Sequence, residues 1–120
     1  MFTLHAEKLN DLTVVECEGR ITHSESVFHL RDLVMAQADS RVITLDLSEV
    51  KAISGGGLGM LAFLNNWADQ HGIEFKLFKP SKVVMEGLVQ NRSILSFDIA
   101  TFHEMMNMLA EAEPQYALAA

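Results

Sequence analysis

Residues 41–66 read RVITLDLSEVKAISGGGLGMLAFLNN, and no other stretch restricts the fold of this chain as much. Val42 to Leu47 has the length and aliphatic content of a buried strand. The polar run Ser48 to Lys51 reads as a turn. Ala52, Ile53 and Ser54 then lead into three successive glycines, Gly55, Gly56 and Gly57, and an apolar helix is expected from Leu58 to about His71. Strand, glycine loop and helix in that order set backbone N–H groups at one end of a sheet, where an anion or a partner loop can dock. The run GGGLG lacks the lysine and Ser/Thr of a P-loop and the spacing of a dinucleotide turn, so alone it names no ligand.

The flanking segments supply the rest of a sheet. Phe2 to Lys8 places Phe2, Leu4 and Ala6 on one face of a strand, and Asn10-Asp11 is a turn signal. Leu12 to Glu18 alternates, with Val15 and Cys17 facing one way and Glu16 and Glu18 the other, so the two runs predict a hairpin ending at Gly19. Thr22 with Glu25 matches a capping box for a helix carrying Val27, Leu30, Leu33 and Val34. After the central helix, Glu74 to Phe78 alternates as a strand, and Pro80-Ser81 opens a helix through about Gln90 with Val84 and Leu88 inward. Ile94 to Ile99 predicts a last strand. His103 to about Glu111 predicts a last helix anchored by Met105 or Met106 and Leu109, and Glu113–Ala120 is expected to be a frayed tail. The result is one α/β domain over residues 1–112, in the order ββαβαβαβα, with helices packed on a mixed sheet of about five strands. Its strands' C-terminal edge should gather Arg20, Thr22 and His23, then Ser48 to Gly57, Lys79 to Lys82 and Thr101 to His103.

Composition narrows the function. The 120 residues suit one domain, and 9 basic against 16 acidic side chains give a net charge of −7. That balance argues against a nucleic-acid face, which needs clustered Lys and Arg. The single cysteine, Cys17, rules out an intrachain disulfide and a multi-cysteine zinc site, and reads as a small core residue. The five histidines show no ligand spacing, so neither a metal nor a cofactor is expected. No Ser/His/Asp set or loop carboxylate pair supports an enzyme. Without a signal peptide or an apolar run long enough for a transmembrane segment, a cytoplasmic protein is expected.

The chain resembles the STAS domain family of anti-sigma-factor antagonists and related modules. The likeness rests on VVECEGRITHSE (Val14–Glu25), on the LDLS-x-V strand with its small-residue loop and GLGxL (Ile43–Leu61), and on the strand–helix pairs Phe75–Leu88 and Leu95–Leu109. It implies a non-catalytic, partner-switching regulator of transcription, in which a hydroxyl residue before the helix is phosphorylated and releases the partner. Aligning Gly57-Leu58-Gly59 with the family's Gly-Leu-Gly puts Ser54 at the aspartate position, Gly55 at the first serine and Gly56 at the phosphoacceptor. Gly56 has no hydroxyl, which makes the phosphosite degenerate; Ser54 is the nearby substitute acceptor. The implied partner is an anti-sigma factor of serine-kinase type. A transporter ATPase subunit is the alternative, as for STAS modules of lipid and anion transporters, and a small nucleotide binder using the glycine loop is a third reading.

The partner-binding residues expected on this basis are Ser54, Gly55, Gly56, Gly57, Leu58, Gly59 and Ala62. Each has a structural alternative. The glycines either form an anion-binding nest or let the helix pack close to the sheet. Leu58 and Ala62 either offer apolar contacts or tuck under a neighbouring loop. Met60, Phe63 and Trp67 are expected in the core, and Lys79 and Lys82 either pair with an acidic partner or solvate.

Overall fold

The computed structural model describes residues 1–112; the tail expected at Glu113–Ala120 lies outside the described residues. The element order is β1 (Phe2–Leu9), β2 (Leu12–Ile21), α1 (Ser24–Met35), β3 (Val42–Ile53), α2 (Gly55–Gln70), β4 (Glu74–Phe78), α3 (Lys82–Gln90), a 3-10 turn (Ile94–Ser96), β5 (Asp98–Ala100) and α4 (Phe102–Ala112). The strands lie side by side in sequence order; β1 is antiparallel to β2 and every other neighbour pair is parallel.

Alternation decides which side chains go where. Val15 and Cys17 of β2, Ile43, Leu45 and Leu47 of β3, and Phe75 and Leu77 of β4 belong to one buried cluster. It is closed by Leu30 and Val34 of α1, Leu61 and Leu64 of α2, and Val84 and Leu88 of α3. The opposite face carries a smaller cluster, in which Leu12 and Val42, paired across β2 and β3, meet Met108, Leu109 and Ala112 of α4. Cys17 is 2% exposed, and burial, helped by the charge of Asp46, pushes its thiol up to about 12. It stays protonated in the core.

Several expectations at element ends are corrected. Ser48–Lys51 is not a turn. β3 continues through it because β2 continues alongside, with Glu18 opposite Glu49, Gly19 opposite Val50 and Ile21 opposite Ile53. Two register shifts absorb the extra residues of β3, and Asp46 Oδ1 accepts from both the N–H (3.0 Å) and the hydroxyl (2.7 Å) of Ser48 at the first of them. Gly19 does not end β2. Its φ of +108° leaves room for the Met1 carbonyl, which a Cβ there would meet at 2.1 Å. The N-cap of α1 is His23, not Thr22, and Ser26 closes that turn: its hydroxyl accepts from the His23 N–H (3.2 Å) and donates to the His23 carbonyl (2.7 Å). The last strand shrinks to Asp98–Ala100, because Ile94–Ser96 winds into a 3-10 turn. Of the two candidate anchors in α4, Met105 is the buried one.

Candidate functional site

The glycine run is not a loop. Ser54 is the N-cap of α2, and Gly55, Gly56 and Gly57 form its first turn. The Ser54 hydroxyl accepts from the Gly57 N–H at 3.1 Å, while Ser54 N–H donates to the Ile21 carbonyl at 3.0 Å. The cap therefore fixes the helix start against the end of β2. The N–H groups of Gly55 and Gly56 have no acceptor among the described residues, as expected for the first turn of a helix.

The four glycines at this end have different reasons to be there. Gly57 is buried, and a Cβ on it would lie 2.7 Å from Ile53 Cγ1 and 2.8 Å from the Ile21 carbonyl oxygen. Close packing demands glycine there. Gly55 and Gly59 are exposed, with nothing within 4 Å of a Cβ, and Gly56 is exposed too, with only Ser54 Oγ at 3.6 Å. A side chain fits at all three, so α2 presents bare backbone outward without any steric need for it.

Leu58 is half-buried and fills the notch left by Gly87 of α3, where a Cβ would come within 3.0 Å of Leu58 Cδ1. It packs on a neighbouring helix, not under a loop. Ala62 is exposed. Trp67 is in the core and Met60 is partly buried against it, but Phe63 is not a core residue: it is 49% exposed. The buried arc of α2 is narrower than its apolar arc, and Phe63 falls on the side turned toward α1. With Phe28 of α1, 47% exposed, it flanks an open groove of about 410 Å³. Thr22, His23, Ser54 and Gly56 close the end of that groove nearest the helix start. In the sequence Phe28 is readable only as a member of an amphipathic helix; no local motif marks it as a groove wall.

Lys79–Lys82 and Thr101–His103 do not join this site. β4 ends at Phe78, which pairs with Asp46 and with Ala100 of β5, and the Ser81 N–H bonds the Leu47 carbonyl. From Leu47 to Ser54 there is roughly 20 Å of strand. The expected single edge is thus split in two by the length of β3.

A family model for the STAS domain matches residues 3–112. The chain belongs to the STAS domain family. Among solved structures it is similar to the anti-sigma factor antagonist SpoIIAA in its unphosphorylated form, with a TM-score of 0.74 and 14% identity over 91% of this chain and 97% of that one. It is similar also to an anti-sigma factor antagonist from Mycobacterium paratuberculosis, at 0.75 and 16% over 90% and 93%. The same fold recurs within SLC26A9, at 0.63 and 14%, covering 91% of this chain and 21% of that one. A search of curated proteins finds no match.

Proposed function

We propose that this STAS domain is a non-catalytic protein-binding regulator of the anti-sigma-factor-antagonist kind, held permanently in its unmodified, partner-competent state. The observation that carries the reading is the pair of residues at the start of α2. Gly56, at the position the family alignment gives to the phosphoacceptor, is exposed but has no hydroxyl, and Ser54, the nearest substitute, has its hydroxyl engaged as the helix cap. A phosphate at this turn would add about 1.5–2 negative charges to the contact surface. Without an acceptor that charge never arrives, so partner release has to be controlled elsewhere. The contact surface is the outward side of Gly55, Gly56, Gly59 and Ala62, with Ser54, Gly57 and Leu58 holding it in place. The partner on this reading is an anti-sigma factor of serine-kinase type, met in the cytoplasm.

The test compares affinity capture by the native chain and by Gly56→Asp. A carboxylate in the first turn of α2 favours the helix through its macrodipole, so lost binding cannot be blamed on unfolding. Capture of a kinase-type anti-sigma factor by the native chain alone supports the reading, and equal capture by both forms refutes the surface. A second reading draws support from the recurrence of this fold in SLC26A9: a module docking on a transporter or its ATPase. Co-purification of an ATPase in place of an anti-sigma factor would favour it.

A further inference from the structure

The groove beside the α2 start lacks the acidic character of the whole chain. The protein carries 16 acidic residues and a net charge of −7, yet no carboxylate lines the groove between α1 and α2. Beyond His23, which borders both, the surface continues into a second depression of about 240 Å³ holding Arg20 and His29, with Glu25 as its one carboxylate. Among the described residues no ion pair engages Arg20, which is exposed at the end of β2. The N–H groups of Gly55 and Gly56 add the positive end of the α2 dipole to the same side.

The other end of the groove is apolar. Val27 and Phe28 on α1 face Met60 and Phe63 on α2, and both phenylalanines are about half exposed. The Arg31 guanidinium sits 4.8 Å from the centroid of the Phe28 ring, with its charge already paired to Asp32 at 2.9 Å. The trough is open along its length. It does not enclose a small ligand on most of its surface as a cofactor pocket does. Its glycine side leaves no side chain between α2 and an arriving backbone.

We propose that this groove receives an acidic segment of a partner protein with an apolar side. The segment's aliphatic or aromatic side chains lie between Phe28 and Phe63, and its carboxylates meet Arg20, His23 and the N–H groups of Gly55 and Gly56. The inference rests on the partner-binding reading of α2 and adds the chemistry of what binds. Opposite charges steer and align the segment, while the two phenylalanines supply the buried contact.

The probe is a random peptide display library selected on the native chain, with affinities of the enriched peptides measured on Arg20→Glu, Phe63→Ser and Gly56→Asp. All three positions are exposed enough for the variants to fold. Enriched peptides should combine carboxylates with aliphatic or aromatic residues. Changing their acids to Gln should weaken binding about tenfold, Arg20→Glu should do the same, and a Lys in place of an acid should recover binding to Arg20→Glu. Enrichment of basic or uncharged peptides overturns the proposal, as do failure to enrich any peptide and affinities unchanged by Arg20→Glu. Self-association abolished by Phe63→Ser also overturns it, by giving the groove to a second copy of the chain. If Phe63→Ser and Gly56→Asp lose the peptides while Arg20→Glu keeps them, the acidic-segment proposal falls and the partner-binding reading of α2 stands. If all three bind as the native chain does, the partner-binding reading of α2 falls with it.

Discussion

An alanine at position 57 places a methyl group where the end of β2 already lies. Its Cβ would be 2.8 Å from the Ile21 carbonyl oxygen, 2.7 Å from Ile53 Cγ1 and 3.1 Å from Ile21 Cγ2. The isoleucine at 53 can rotate away, but the Ile21 carbonyl is backbone and accepts the Ser54 N–H, so α2 and its cap must shift together. Removing a glycine from a helix gains about 1 kcal/mol at most, whereas overpacking a tight contact costs about 1–3 kcal/mol. Because one of the clashes is with backbone, the cost lies at the upper end of that range, and Gly57→Ala should lose about 2 kcal/mol net. Gly59→Ala, with nothing within 4 Å of its Cβ, should keep the helix gain and become about 0.5–1 kcal/mol more stable. Urea unfolding followed by circular dichroism, with unchanged m-values, reads both differences. A Gly57→Ala variant as stable as the native chain would refute the packing argument, and a destabilised Gly59→Ala would show that the outer face of α2 is not free.

Ser54→Ala removes the cap of α2 and should cost about 1 kcal/mol; a loss within error in urea unfolding would mean that the Gly57 N–H finds another acceptor. The Cys17 thiol, held up to about 12 against an ordinary value of 9.0, should react with an alkylating agent only as fast as the whole domain unfolds. Because its folded value is raised, its contribution to stability is complete below about 9.0 and declines as pH climbs toward 12; a thiol labelled at the free-cysteine rate would contradict this. The Glu104 carboxyl is held below its usual value, first by the Thr101 N–H at 2.9 Å and then by the Thr101 side chain. Its support for α4 is present above 4.5 and lost as pH falls through the lowered value, and Glu104→Gln should flatten that region of the stability–pH curve.

The sequence is most legible where a periodic pattern meets an unambiguous stop. Val42–Leu47 and Glu74–Phe78 alternate or run apolar without interruption, and both are strands. It misleads where one signal has two physical meanings. Ser48, Glu49 and Lys51 are polar as turn residues are, but they are also what the exposed side of an extended strand carries, and only the neighbouring β2 decides between them. The glycine run suggests a loop because isolated glycines destabilise helices; the Ser54 cap and the close contact of Gly57 with Ile21 and Ile53 hold it helical instead. The proposed contact positions within that run come from the family pattern, since no periodicity singles them out. Phe63 reads as core on its period, and its exposure depends on how far α1 stands from α2, which no local pattern encodes. The lysines at 79 and 82 join the site only if strand ends are level, and the unequal lengths of β3 and β4 separate them.

That inequality has a mechanical side. Beyond Asp46 the strand β3 has no partner in β4, and it carries Ser54 and α2 at its far end while remaining laddered to β2 as far as Ile53. A pull on the first turn of α2 therefore runs lengthwise down β3. The bonds to β2, from Leu12 to Ile21, share that load side by side and do not break in succession as the teeth of a zipper do. A load on this turn falls first on that ladder, and the contact of Leu58 with Gly87 passes part of it to α3.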